Sequence, residues 1–213
     1  MDGVITMEDA RALVGDAKLW PRVRNFLWDF APQVHESWLE PNQLSLRDSP
    51  RVKRYILDSL GVEQCFHAFP KEDGSRILLL DGATLESAAK WLGALACAES
   101  LRRVTSGEVV RELKAKLRGI YPEVFGYTAY FNVAAKNAET AKTPEEILAI
   151  GFKILFSQFA DLPKSLVARL KFKLPKSLCE LCVLCGKEEC AVSMSAVLKL
   201  FKLKFPEAYK LCC

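Results

Sequence analysis

Apolar residues recur at three- and four-residue spacing through most of this 213-residue chain, a period that suits amphipathic helices and not strands. In "DSPRVKRYILDSLG", Ser49 stands where a helix cap belongs and Pro50 suits the first turn. Val52, Tyr55, Ile56 and Leu60 then make a stripe, and Gly61 ends it. "TLESAAKWLGALACAESLRRV", from Thr84, is richer still in strong helix formers. "SGEVVRELKAKLRG" and "YPEVFGYTAYFNVAAKNAE" continue the pattern. "TPEEILAIGFKILFSQFAD" opens on Thr143, Pro144 and two glutamates, where a helix dipole favours negative charge. The expected fold is mainly α, a compact helical domain.

One passage departs from that period. "CFHAFPKEDGSRILLLDG" sets two short apolar runs around a Lys-Glu-Asp-Gly turn, which predicts a short β-hairpin or extended pair near residues 65–80. The chain is expected to be a single helical unit over residues 1–213, with a possible N-terminal subregion 1–62 and a larger C-terminal subregion 82–213. The longest apolar run, Ile147 to Ala160, is broken by Lys153 and Gln158 and falls short of the roughly 20 residues a membrane span needs. With acids from the second residue and no basic, then apolar, leader, the expectation is a soluble cytosolic protein.

The chemistry-bearing signatures are sparse. Neither G-x-x-x-x-G-K-[ST] nor G-x-G-x-x-G occurs, and glycines fall singly at helix ends or inside helical patterns, so no nucleotide cradle is expected. Only His35 and His67 are available as bases, and nothing places either beside a nucleophile. His67, between Phe66 and Phe69, reads as a packed side chain. The reading is therefore not an enzyme, and no cofactor is expected.

The sharpest candidate is "SLCELCVLCGKEEC", which holds Cys179, Cys182, Cys185 and Cys190, half of the chain's cysteines. Its C-x2-C-x2-C-x4-C spacing matches the first three positions of a ferredoxin run but then adds a residue and has Ala191 where a proline would stand. Zinc would accept four thiolates, though usually from two separated C-x2-C knuckles. On a helix the first three cysteines trace one slanting face, where a reduced thiol packs like a small hydrophobe. Packing is the preferred reading, with a Cys-ligated zinc or iron–sulfur protein kept as the alternative. The terminal Cys212-Cys213 pair reads as an exposed tail.

Charge is unevenly placed. The last fifty residues carry +6 and the remainder −2, which points to an acidic partner for the C-terminal end. "RLKFKLPK" alternates charge with apolar residues and nominates Arg169, Lys171, Lys173 and Lys176 as partner-binding residues. The same run is what a small nucleic-acid-binding domain would show, but no recognition motif supports that second alternative, and nucleic acid is not expected as a partner. The stripe from Val197 to Phe205, with lysines at 199, 202 and 204, is read as packed against the domain.

Three segments, in order, resemble the SctK (YscK-type) family of type III secretion sorting-platform proteins. They are "FLWDFAPQVHESWLE", then "LESAAKWLGALACAESLRRVTSGEVVRELKAKLRG" with its Leu-Gly pair and Arg102-Arg103, then "ILAIGFKILFSQFADLPKSLVARLKFKLPKSL" with an internal glycine and the Arg169–Pro175 run. The resemblance implies a helical, non-enzymatic cytoplasmic adaptor at the cytosolic face of the inner membrane. It would bridge the inner-membrane ring protein (SctD type) to the pod protein (SctQ type), reaching the membrane only through those partners.

Overall fold

The computed structural model describes residues 6–63, 66–70, 74–131, 143–177 and 192–212. Every regular element among them is helical, so the chain is mainly α. In chain order the α-helices are α1 (Met7–Val14), α2 (Trp20–Leu27), α3 (Pro41–Leu46), α4 (Pro50–Ser59) and α5 (Gly82–Ala96). There follow α6 (Ala98–Arg102), α7 (Gly107–Lys116), α8 (Pro144–Ser157), α9 (Lys164–Phe172), α10 (Met194–Lys204) and α11 (Pro206–Cys212). The chain groups into two compact units that do not follow chain order. One comprises Met1–Gly82, Asp161–Lys176 and Glu207–Cys213, the other Ala83–Ala160 and Ser177–Pro206.

The first unit is built around aromatic rings. Phe26 of α2 meets Phe30 and Phe69 edge to face, at 5.7 and 5.8 Å between centroids, and all three are fully buried. Such pairs add directional attraction to the burial of apolar area. Ile56 of α4 and Leu166 and Leu170 of α9 are also buried. Local signals set the helix ends: the Thr6 hydroxyl accepts the Asp9 N–H at the start of α1, and Gly15 closes it at a φ of 65°. In α4 the expected stripe is rotated, because Ile56 is buried while Tyr55 is 60% exposed.

The predicted hairpin near 65–80 is corrected by a 3-10 helix, Ser75–Leu79; the described residues contain no strand, and 64–65 and 71–73 lie outside them. Gly74, at a φ of 69°, starts the turn, and the Ile77 N–H donates to its carbonyl at 3.1 Å. Ile77, Leu78, Leu79 and Leu80 are all buried. A continuous apolar run does not distinguish a buried strand from a buried helical turn. The Leu78 and Leu80 carbonyls accept from the Lys173 Nζ, which leaves them unavailable for a ladder.

The second unit rests on the crossing of α5 and α8. Thr143 and Glu146 form a reciprocal capping box at the start of α8. α5 is buried along most of its length, from Leu85 to Leu95. At the crossing, a Cβ built on Gly93 would overlap the Ile147 carbonyl oxygen, and one built on Gly151 would overlap the Ala89 carbonyl oxygen. Two helix backbones approach this closely only where side chains are missing. The Leu-Gly pair and the internal glycine of the apolar helix therefore face each other, although neither reads from the sequence as a contact. The same unit buries Phe152, Leu155, Val197, Leu200 and Phe201, the last three consistent with the packed reading of the Val197–Phe205 stripe.

Two further expectations are corrected. The start of "YPEVFGYTAYFNVAAKNAE" forms 3-10 turns, Glu123–Gly126 and Thr128–Tyr130, instead of a continuing helix. The Thr128 hydroxyl donates to the Phe125 carbonyl at 3.1 Å, a local bond that competes with the helical ladder. Cys212 is fully buried at the end of α11, not part of an exposed tail.

Candidate functional site

The four basic residues nominated from Arg169 to Lys176 divide between interior and surface. α9 runs through Phe172, and on a helix positions 169 and 173 share one face. That face points inward: Arg169 is 1% exposed and Lys173 is 3% exposed. Arg169 donates to the carbonyls of Glu63 at 2.8 Å, Ser165 at 3.2 Å and Leu27 at 3.4 Å, and stands over the Phe30 ring. It pins α2, α4's exit and α9 together. Lys171 is half-buried and Lys176 is exposed.

Lys173 Nζ donates to the carbonyls of Leu78 at 2.7 Å and Leu80 at 2.8 Å, and lies 4.6 Å from the centroid of Phe26. Burial pulls its pKa down to about 7, against the attraction of Asp81 and with the help of the Arg22 charge. A neutral amine has two N–H donors, and two carbonyls are present to take them.

Above this buried floor, two distant sequence motifs meet. The His35 N–H donates to the Phe172 carbonyl at 2.7 Å, and the Trp38 indole N–H donates to the Leu174 carbonyl at 2.8 Å. Trp38 and Phe172 stack edge to face at 5.0 Å. Ser37 Oγ accepts the Lys176 N–H at 2.8 Å, and the Lys176 ammonium sits 5.8 Å from the centroid of Trp38. The "HESW" segment and the "FKLPK" segment thus form one corner, with Ser37 and Lys176 exposed and Trp38 and His35 half-buried. Charge singled out Lys176 in the sequence. Trp38 was quoted within a motif, but no pattern showed that its ring lies under that lysine.

Beside the corner, Arg22, Asn25, Gln33, Asp81 and Lys173 line a cavity of about 530 Å³ in the same unit. Its rim carries both signs of charge and no nucleophile–base pair. Cys97, in the second unit, is fully buried; burial first and the Glu146 charge second push its thiol up to about 12, so it behaves as an apolar packing group. His67 is half-buried and meets Phe69 edge to face at 4.9 Å. Among the described residues, no group of three or more His, Cys, Asp or Glu side chains is placed to hold a metal. Cys179, Cys182, Cys185 and Cys190 lie outside the described residues. No helix among those described is long and apolar enough to cross a membrane.

No curated protein matches the chain. No solved structure matches it either. Residues 23–212 match the family described as YOP proteins translocation protein K (YscK), a range that contains α2 through α11 apart from α2's first three residues. With nearly its whole length inside that match, including both motifs of the Trp38–Lys176 corner, the chain belongs to the YscK family of type III secretion proteins.

Proposed function

We propose that this protein is a non-enzymatic adaptor of the type III secretion sorting platform, placed at the cytosolic face of the inner membrane. It bridges the cytoplasmic domain of the inner-membrane ring protein (SctD type) to the pod protein (SctQ type). The observation that carries this reading is the family match, joined to the division of the chain into two units with separate cores. A bridge needs two surfaces on rigid supports, and each unit offers one. Its action is binding, without turnover.

For the first unit, the proposed contact is the corner formed by Trp38 and Lys176, flanked by Lys171. Aromatic side chains beside basic ones are the usual anchors of a protein interface, and an acidic partner surface complements them. Arg169 and Lys173, nominated with them from the sequence, support this corner from beneath. The Lys171→Glu/Lys176→Glu variant is expected to weaken one of the two interactions at least about tenfold and to spare the other. Lys18→Glu, at an exposed position of the same unit, serves as the control. Titration of purified ring-protein domain and pod protein against each variant measures this. Unchanged affinity for both partners would refute the surface; failure of the unmodified protein to bind either would refute the adaptor reading.

A further inference from the structure

Lys204, the last residue of α10, is held in an unusually complete setting for a lysine. Its Nζ lies 4.1 Å from the centroid of the Tyr127 ring and 4.3 Å from that of Trp91. It also donates to the Tyr127 hydroxyl at 3.0 Å and to Glu123 Oε1 at 2.5 Å. The lysine side chain is 14% exposed although it ends a helix. Burial lowers the amine's pKa, but the hydrogen bonds to Glu123 and Tyr127 outweigh it and leave the amine above its ordinary value, so the ammonium is the form the site prefers.

The walls of this box come from elements other than α10. Trp91 belongs to α5, where it is buried, and it meets Tyr127 edge to face at 5.8 Å with the rings at 85°. Glu123 comes from the 3-10 turn just before Tyr127. Two aromatic rings set edge to face beside one cation, with a phenol oxygen and a carboxylate to accept its N–H groups, are what recognises an alkylammonium ion. The cation is supplied by a helix whose chain leaves the second unit two residues later, at Pro206.

We propose that Trp91, Tyr127 and Glu123 form a binding site for a primary alkylammonium group, in protein terms a lysine side chain, and that Lys204 is its resident and exchangeable ligand. Occupancy of the box by Lys204 seats the end of α10. A lysine presented by another chain is the chemical class that competes for the same walls. This inference does not rest on the adaptor reading.

The test is chemical rescue. Lys204→Ala vacates the box, and n-butylammonium chloride is then added, with equal sodium chloride and equal n-butanol as controls for ionic strength and for apolar contact. The expected result is a lowered melting temperature that butylammonium restores in a saturable manner and the controls do not. Trp91→Leu in the same background abolishes the response. Rescue by butanol to the same extent, or no rescue beyond sodium chloride, overturns the proposal. Should the alanine variant not fold, the unmodified protein gives the second measurement, the rate at which an N-hydroxysuccinimide acetate reagent acylates Lys204 compared with Lys210. Lys204 is expected to react several-fold more slowly than Lys210, and the Lys204-to-Lys210 ratio, in which the reagent that butylamine itself consumes cancels, is expected to rise with butylammonium. Equal rates, or protection indifferent to butylammonium, overturns the proposal.

Discussion

Replacing Gly93 with alanine is expected to cost about 3 kcal/mol or more and to lower the melting temperature by about 10 °C. The added methyl meets the backbone carbonyl of Ile147, not the yielding end of a side chain, so relief requires α5 and α8 to separate. Separation then opens a gap along a seam that buries Leu92, Ile147 and Phe152. Gly151→Ala is expected to behave in the same way through the Ala89 carbonyl. The double variant should cost less than the sum of the two, because once the helices have parted for one methyl the second finds room. Gly107→Ala is the control: it opens α7, has no neighbour within 4 Å, and should be neutral or slightly stabilising. Chemical denaturation of the four variants and the unmodified protein measures this. A near-neutral Gly93→Ala would mean that α5 and α8 do not cross as described.

The second large effect is a pH dependence set by Lys173. In the folded protein its amine titrates at about 7, whereas in the unfolded chain it titrates near the ordinary lysine value of 10.5. Below pH 7 both states carry the proton and the burial penalty is fully present. Between those values the unfolded chain binds a proton that the folded protein does not, so the unfolding free energy rises with pH. Compared with Lys173→Met, the unmodified protein should gain about 1 kcal/mol for each unit from pH 7 to pH 9. Using the difference between the two proteins cancels the titration of every group they share, including the Cys97 thiol. Urea denaturation at pH 7, 8 and 9 checks this, and parallel profiles would contradict it.

Much of the helical architecture is legible in the sequence, because its signals are local. Thr143, Pro144 and Glu146 announce the start of α8, and Ser49, Pro50 and Gly61 frame α4 within a residue or two. What could not be read depends on partners far along the chain. Ile77 to Leu80 is an apolar run that suits a strand or a turn equally, and the choice is made by Lys173, almost a hundred residues away. Arg169 and Lys173 look exposed when counted as charges, yet their apolar stems line a helix face and their polar ends find backbone carbonyls. Gly93 and Gly151 read as isolated glycines until two helices cross at them. The Trp38–Lys176 corner and the Lys204 box are gathered from dispersed positions, so no spacing rule announces either. Their chemistry is visible only after folding.

The adaptor reading makes one demand that neither partner alone can satisfy, which is simultaneous occupancy. The direct measurement immobilises the cytoplasmic domain of the ring protein and passes the pod protein over it, with and without this protein. The account predicts that the pod protein is retained only when this protein is present, in a complex containing all three. Retention without it, or binding of the ring and pod proteins to it only in competition with each other, would contradict the bridge.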